Sequence, residues 1–412
     1  MPGIKKKDLF YHILFALCVG IPYINYYEVT FLVWALAILL TLRKKFSLNF
    51  LQYLAYFIAI IAIALFVSFF EENIKTYNYI RDLTYLLKPV MGLLVGYQVC
   101  RAYSANPLRM VVNTAVFIAI AHLLVIAFSV AFYHVRNIND LRKYGGYFSD
   151  YEIYAFIILL FHEKFELGLS KQQAKLFLLI VGISSLLYLA RTNFLQFIIL
   201  WLAIKGYFVW NRRSIIVITS VVAFSVIGYA AIYASNPHRG AKGIEAFLYK
   251  IKIAPFEPFK TKVDKDDWVD FNDNYRSYEN ILTIRQVSAK GTTAVLFGEG
   301  LGSTIDLKRE VWLQTSYMRY IPFLHNGFMT VFLKSGLLGI CIYLATIFFY
   351  FRQRPSEVPL VKQINLLLIG TGFFLFVSNW VFLGFYNLFD TKTILIGLLL
   401  AYKEQINKSL TT

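Results

Sequence analysis

The sequence has few charged residues for its length. Of its 412 residues only 16% are Asp, Glu, Lys or Arg, whereas 58% are hydrophobic and 18% aromatic. A soluble globular protein has about 25% charged residues. A chain with so few cannot cover a water-facing surface, which excludes an ordinary soluble enzyme and indicates that the lipid bilayer is the main solvent.

Cysteine and acidic residues are also scarce. Cys18, Cys100 and Cys341 each lie in or at the end of an apolar run, and their spacing indicates neither a metal site nor a disulfide framework. The 41 Lys and Arg residues outnumber 24 Asp and Glu residues, which gives a formal net charge of +17. Most basic residues lie in short segments between apolar runs, so the excess favours a membrane protein over a nucleic-acid-binding protein.

Apolar segments of approximately spanning length recur along the chain. They predict an all-α polytopic membrane protein with about 12 transmembrane helices. The segments are 8–25, 27–42, 50–70, 83–100, 108–133, 150–163, 175–190, 194–210, 214–234, 326–350, 360–383 and 388–402. The stretch 175–210 is ambiguous, because it could be one long helix or two short ones that meet at Arg191. Two helices place most loop Lys and Arg residues, and both termini, on the cytoplasmic side, as the positive-inside rule requires.

This topology divides the chain into three regions. Helices one to nine occupy residues 1–234, a large extracytoplasmic loop occupies 235–325, and helices ten to twelve occupy 326–412. A polar loop of that length is usually functional. Within it, apolar residues at helical spacing predict an amphipathic helix over 278–290 that lies on the membrane domain; they are Ile281, Leu282, Ile284 and Val287.

The loop also contains an acidic cluster, Asp264, Asp266 and Asp267. It superficially resembles the metal-binding clusters of nucleotide-sugar transferases. Nucleotide sugars are cytoplasmic, whereas the predicted topology places this loop outside. A solvated run of charges is therefore the better interpretation.

Arg191 and His325 are candidates for chemistry. Arg191 interrupts an apolar stretch, and a guanidinium near membrane depth is costly and usually partnered or functional. It could serve as a fixed donor to a phosphate, or only as an anchor that snorkels to the headgroups. His325 lies where the polar loop returns to an apolar run. It could be a general base or simply the start of a helix.

Arg285 is the third candidate, because it precedes a glycine-rich segment. Gly298, Gly300 and Gly302 alternate with other residues there, and such glycines let a backbone turn tightly and approach a ligand closely. The segment is not a dinucleotide-binding fingerprint, since it lacks the strand and helix that must flank one.

Together these motifs resemble the O-antigen ligase and O-antigen polymerase family of bacterial envelope glycosyltransferases. The most specific piece is His325-Asn326-Gly327-Phe328 followed by the segment 333–340, LKSGLLGI. It is similar to the family's His-Asn pattern leading into a Gly-Leu-Leu-Gly helix. Arg285 with the segment 297–303, FGEGLGS, is similar to the family's Arg-then-Gly-x-Gly-x-Gly region. The segment 190–193, ARTN, resembles its outer-face arginine motif but departs from the commoner Ser-Arg form.

The resemblance implies a metal-independent, inverting glycosyltransferase of the bacterial inner membrane that uses no cofactor. Its donor would be an undecaprenyl-pyrophosphate-linked oligosaccharide on the periplasmic face. Arg191 and Arg285 would hold the pyrophosphate and His325 would activate the acceptor hydroxyl. Aromatic side chains that could stack on sugar rings are Trp312, Tyr317 and Tyr320.

Several functions remain open at this stage. A polymerase would extend lipid-linked repeat units of O-antigen, capsule or exopolysaccharide, whereas a ligase would transfer finished glycan to lipid A-core. We favour the polymerase on its broader occurrence, and expect membrane lipids but no nucleic acid as partners, with room for a chain-length regulator. A flippase or transporter would need charges spread through a central cavity, but the main intramembrane charges are only Lys88 and Lys334. A peptidoglycan-type polymerase of related architecture also stays open, although the acidic signature usual for that class is not apparent in the sequence.

Overall fold

A computed structural model describes residues 6–42, 45–71, 75–135, 138–146, 149–208, 211–241, 243–257, 259–313, 316–387, 389 and 391–409. Helix accounts for 75% of the structure. The helices are α1 Lys6–Gly20, α2 Tyr27–Thr41, α3 Leu48–Ser68, α4 Thr76–Ala102, α5 Pro107–Tyr133, α6 Ile138–Gly145, α7 Asp150–Leu160, α8 Lys171–Leu187, α9 Arg191–Ile204, α10 Arg212–Ala234, α11 Ile244–Ile253, α12 Trp268–Asp273, α13 Tyr275–Ala289, α14 Thr292–Phe297, α15 Gly327–Phe348, α16 Pro359–Val381 and α17 Lys392–Ser409. Short 3₁₀ helices follow α1, α15 and α16, and one antiparallel hairpin pairs β1 Ile305–Leu313 with β2 Ser316–Ile321.

Seven helical segments of the described residues are long and apolar enough to cross a bilayer. They are Lys6–Ile24, Leu48–Ser68, Thr76–Ala102, Pro107–Tyr133, Arg212–Ala234, Gly327–Arg352 and Pro359–Val381. Helices α2 and α9 are apolar but shorter. This is consistent with an all-α membrane protein. The full set of 12 crossings and the location of the loop outside the cytoplasm stay predictions.

Side-chain contacts at the helix ends divide the bundle into two faces. On one, which we call the terminal face, the Asp8 carboxylate of α1 accepts from the Ser104 hydroxyl at 2.6 Å, and the Glu404 carboxylate of α17 accepts from Tyr97 at 2.6 Å. On the other, the loop face, Ser68 at the end of α3 accepts from the backbone N–H of Leu301 at 2.6 Å. The beginning of α1 and the end of α17 therefore lie on the same face.

The most extensive helix–helix contact among the described residues joins α4 and α17. A Cβ added at Gly96 of α4 would lie 1.8 Å from the Ile394 carbonyl oxygen, and one added at Gly397 of α17 would lie 2.2 Å from that of Leu93. Small residues of this kind let membrane helices approach backbone to backbone, which maximises van der Waals contact where lipid supplies no hydrophobic drive. Glycine therefore sets the spacing at the centre of the bundle.

The ambiguous stretch 175–210 forms two helices, α8 and α9. They are separated by Leu189, whose φ of 48° lies in the left-handed region, and by the extended residue Ala190. A reversal of the chain at this point explains why the apolar stretch contains a charged residue. Arg191 is the first residue of α9.

The helix predicted over 278–290 is present as α13, but the prediction of which side is buried is partly wrong. Ile284 is 47% exposed, and the buried residues of α13 are mainly polar: Ser277, Tyr278, Glu279, Asn280, Thr283 and Val287. A helix that buries carboxylate, amide and hydroxyl groups must satisfy them with specific partners. The hairpin of β1 and β2, which follows α14, was not predicted.

Candidate functional site

The loop face brings Arg191 and His325 toward one region. Tyr188 and Ala190, which flank the α8–α9 turn, pack with Phe382 and Phe389 beyond the end of α16. In the same segment the backbone N–H of Leu383 donates to the carbonyl of His325 at 2.9 Å. Two residues 134 positions apart in the printed sequence are thus linked through one short connecting segment.

His325 is held by a buried carboxylate of α13. Its Nδ1 lies 3.1 Å from both Oε1 and Oε2 of Glu279, and its backbone N–H donates to Oε2 at 2.9 Å. Glu279 is 1% exposed, whereas 40% of the His325 side chain is exposed. With Nδ1 carrying a proton toward Glu279, Nε2 presents its lone pair, which is the arrangement of an oriented general base.

The carboxylate also changes the acidity of the ring. The negative charge of Glu279 raises the pKa of His325 above its ordinary value, because it stabilises the imidazolium. Tyr275, one turn earlier on α13, meets the ring edge to face at 5.6 Å. Charge and packing together therefore fix the ring.

Arg276 lies on the same helix, three residues before Glu279, and is paired with a carboxylate. Its Nη1 donates to both oxygens of Glu257 at 2.9 Å. The charge of Arg276 lowers the pKa of His325, and that of Glu257 raises it. The charges of Arg276 and Glu257 also influence the pKa of Arg191. The pair therefore interacts electrostatically with both residues that the sequence predicted, Arg191 and His325.

Lys250 and Arg142 are two further cations that, with Arg191 and Arg276, form what we call the basic cluster. Arg191 donates from Nη1 to the backbone carbonyl of Lys250 in α11. The charge of Arg142 in α6 lowers the pKa of both Arg191 and Lys250. Burial, together with the charges of Arg142 and Arg191, holds the pKa of Lys250 below its usual range. An anionic ligand would relieve the mutual repulsion among these cations, which adds to the effect of burial on Lys250.

Arg285 lies away from this cluster. It is exposed and stands nine residues after Arg276 on α13. At about 100° and 1.5 Å per residue it lies on the opposite side of the helix and about 14 Å along it. The structure therefore brings together Arg191, Arg276 and His325, and does not bring Arg285 to them.

The glycine-rich segment packs against the bundle. A Cβ at Gly298, whose φ is 83°, would lie 2.5 Å from the backbone nitrogen of Ser335, at a kink in α15 where Gly336 has a φ of 63°. A Cβ at Gly300 would lie 2.7 Å from the Ser68 hydroxyl oxygen. The tight turns expected of these glycines are present, and what the backbone approaches closely is α3 and α15.

A buried ion pair anchors the same segment. Lys334 of α15 bonds Asp82 of α4 at 2.5 Å, and both side chains are 0% exposed. Asp82 also accepts from the N–H of Gly302 at 2.8 Å, and Lys334 donates to the Ser303 carbonyl at 2.5 Å. The other predicted intramembrane charge, Lys88, donates to the carbonyl of Asn387. Both lysines are therefore partnered.

The three aromatic candidates lie on the hairpin. Trp312 and Tyr317 are cross-strand partners whose rings meet at 5.0 Å, and Tyr320 lies on the other side of β2, since successive residues of a strand alternate. All three are more than half exposed. They are accessible to a glycan, but as a two-sided surface and not as one platform.

Several residues of the cluster were missed from the sequence: Arg142, Lys250, Glu257, Arg276 and Glu279. One signal was available, because Arg276 and Glu279 are three residues apart and so share a helix face. Comparisons of the chain with protein-family models, with curated proteins and with solved structures found no match.

Proposed function

We propose that the protein is a membrane glycosyltransferase that transfers glycan from a polyprenyl-pyrophosphate donor, with undecaprenyl pyrophosphate as the expected carrier, and that it polymerises lipid-linked repeat units. The observation that carries this proposal is the His325–Glu279 pair, whose Nδ1 and carboxylate lie 3.1 Å apart, with Arg276, three residues before Glu279 on α13, held by Glu257. Arg142, Arg191 and Lys250 are the other cations whose charges act on this region. It combines an anion site with an oriented base.

The basic cluster matches the leaving group. As the glycosidic bond breaks, negative charge develops on the pyrophosphate oxygens of the carrier. Preorganised guanidinium groups stabilise that charge in the transition state more than in the ground state, which is what accelerates a reaction. Arg191 and Arg276 are the residues we assign to this role. Arg285 remains a prediction from the sequence resemblance.

The His325–Glu279 pair matches the acceptor. A sugar hydroxyl is a poor nucleophile and needs a base to take its proton as it attacks the anomeric carbon. The Nε2 of His325 would accept that proton, and the buried Glu279 would stabilise the imidazolium that results. Glu279 acts on the substrate through His325 and is a positioning residue.

The polymerase and the ligase differ only in the acceptor, and we keep both. A transporter remains the candidate from another class. Grouping of the cluster on the loop face, together with the pairing of Lys334 with Asp82, favours a one-sided site over a charged path through the bundle.

The first test uses the purified full chain in lipid, supplied with an undecaprenyl-pyrophosphate oligosaccharide in the presence of a chelator. We expect a ladder of longer lipid-linked glycans that His325→Ala abolishes. His238→Ala is the matched control, because His238 is an exposed loop histidine paired with Glu245. A single mobility shift that needs added lipid A-core would identify a ligase, and no transfer to either acceptor would make the transporter the leading candidate.

The arginine assignment is tested by comparing Arg276→Gln with Arg285→Gln in the same assay. We expect Arg276→Gln to lower the turnover number by about 100-fold, as loss of one preorganised charge donor does, and Arg285→Gln to change it by less than about threefold. The reverse order would return the pyrophosphate site to Arg285.

The role of Glu279 is tested by the pH profile. A base with a raised pKa becomes active only at higher pH, so the rate for the unmodified chain should rise through a midpoint above about 6.5. Removing the charge in Glu279→Gln should move that midpoint to lower pH and also lower the maximal rate. An unchanged midpoint with reduced rate would mean that Glu279 has only a structural role.

A further inference from the structure

A second polar cavity lies on the terminal face, across the bundle from the basic cluster. Its volume is about 630 Å³, and it lies between the beginning of α3, the α15–α16 connection and the end of α17. The charged residues of its lining are Arg352, Arg354, Lys403 and Glu404. Three cations thus share one concave surface with one carboxylate.

The carboxylate is engaged elsewhere. Glu404 accepts from the Ser47 hydroxyl through Oε1 and from the Tyr97 hydroxyl through Oε2. In the described part of the chain, its hydrogen-bond partners are these two hydroxyl groups and none of the three cations. Its charge therefore offsets the three cations only at a distance.

One of the three cations is held by a hydrogen bond, and the guanidinium groups of the other two have no partner among the described residues. Lys403 donates to the Gln353 amide oxygen at 2.8 Å. Burial lowers its pKa to about 8, while the charge of Glu404 acts in the opposite direction and that of Arg354 in the same direction. The guanidinium groups of Arg352 and Arg354 are exposed and are hydrogen-bonded to no other described residue. Five-donor guanidinium groups next to a half-buried ammonium form a site that suits phosphate.

The remainder of the lining adds amides and an apolar floor. Asn49, Gln52 and Asn407 line the cavity, as do Phe349 and Leu400. Amides can bond hydroxyl or ester oxygens, and the apolar side chains exclude water beneath the cations.

We propose that this cavity binds a phosphate-bearing ligand on the terminal face, held by Arg352, Arg354 and Lys403. The ligand chemistry is shared by an anionic phospholipid headgroup and by a soluble phosphate. This inference does not depend on the proposed glycosyl transfer, because none of these residues belongs to the basic cluster.

The test compares two double variants of the full chain in neutral detergent. Arg352→Gln with Arg354→Gln removes two charges from the cavity. Lys171→Gln with Lys175→Gln removes two exposed charges at the beginning of α8, on the same face but outside the cavity. Bound species are counted by native mass spectrometry after titration with phosphatidylglycerol, with phosphatidylcholine, or with inorganic phosphate.

We expect phosphatidylglycerol or inorganic phosphate to bind the unmodified chain more tightly than phosphatidylcholine does, and the cavity variant to lose about tenfold or more of that affinity. The control variant should keep it. Binding in the lipid arm alone identifies a headgroup, and binding in the phosphate arm identifies a soluble ligand.

Two results would overturn the proposal. One is equal weakening in both double variants, which would reduce the effect to general attraction by basic loops. The other is no preference over phosphatidylcholine in either arm. If the cavity double variant is not monodisperse, Arg354→Gln against Lys175→Gln decides by the same criterion.

Discussion

Of helices α4 and α10, the more apolar one, α10, is the less buried. The most apolar 18-residue stretch of α10 is 0% buried, whereas that of α4, which is less apolar, is 72% buried. In water the more apolar helix would occupy the core. In a membrane, apolar side chains are equally well accommodated by lipid and by the protein interior, so burial follows polar pairing and close backbone approach. Helix α4 has both, in Asp82 and Gly96, and nothing lies within 4 Å of a Cβ added at Gly228 of α10.

The strongest test of this comparison places the same side chain in both helices. Gly96→Val would push a branched side chain into the Ile394 carbonyl, so we expect a loss of more than about 4 kcal/mol and a failure to assemble. Gly228→Val should leave the elution profile and the melting temperature in detergent unchanged. Equal melting temperatures for the two variants would show that α4 and α17 separate without cost.

A smaller effect is expected from the buried ion pair. Asp82→Asn leaves the Lys334 ammonium buried beside a neutral amide, and we expect a loss of about 3 kcal/mol of unfolding free energy. Adding Lys334→Met should recover part of this loss, because the buried ammonium is then removed. The measurement is reversible unfolding in mixed micelles. A loss of unfolding free energy in the double variant that equals the sum of the two single losses would contradict direct coupling of Asp82 and Lys334.

The smallest effect comes from matched valines. Val95 of α4 is 0% exposed and Val222 of α10 is 55% exposed. We expect Val95→Ala to cost about 1 kcal/mol through lost packing, and Val222→Ala less than about 0.5 kcal/mol. Thermal melts of both variants provide the comparison, and a larger loss at Val222 would place an unseen partner against α10.

The same contrast explains how far the sequence could predict the fold. Each of the twelve apolar segments coincides at least in part with a helix, because a backbone in apolar surroundings must satisfy its own hydrogen bonds. Which helices form the core could not be predicted from hydrophobicity. The buried position of α4 depends on Asp82 finding Lys334, 252 residues away along the chain.

The candidate site was predictable only where one residue carried its own signal. Arg191 and His325 stood out because each interrupts or borders an apolar run. Glu279 and Glu257 look like ordinary loop charges, and their importance comes from contacts with His325, 46 residues away, and with Arg276, 19 residues away. The polar inner side of α13 was missed for the same reason, since Ile284 suggested a different buried face.

The isolation of α10 has a consequence for the membrane in which the protein is studied. Near its end, Tyr229 donates to the Lys252 carbonyl of α11 at 2.8 Å, and α11 also provides the Lys250 carbonyl that Arg191 uses. A helix surrounded by lipid adjusts its tilt to bilayer thickness. A change in the acyl-chain length of the membrane would therefore move α10, and through α11 the carbonyl that Arg191 contacts. Short-chain and long-chain lipids are thus not equivalent hosts for this protein.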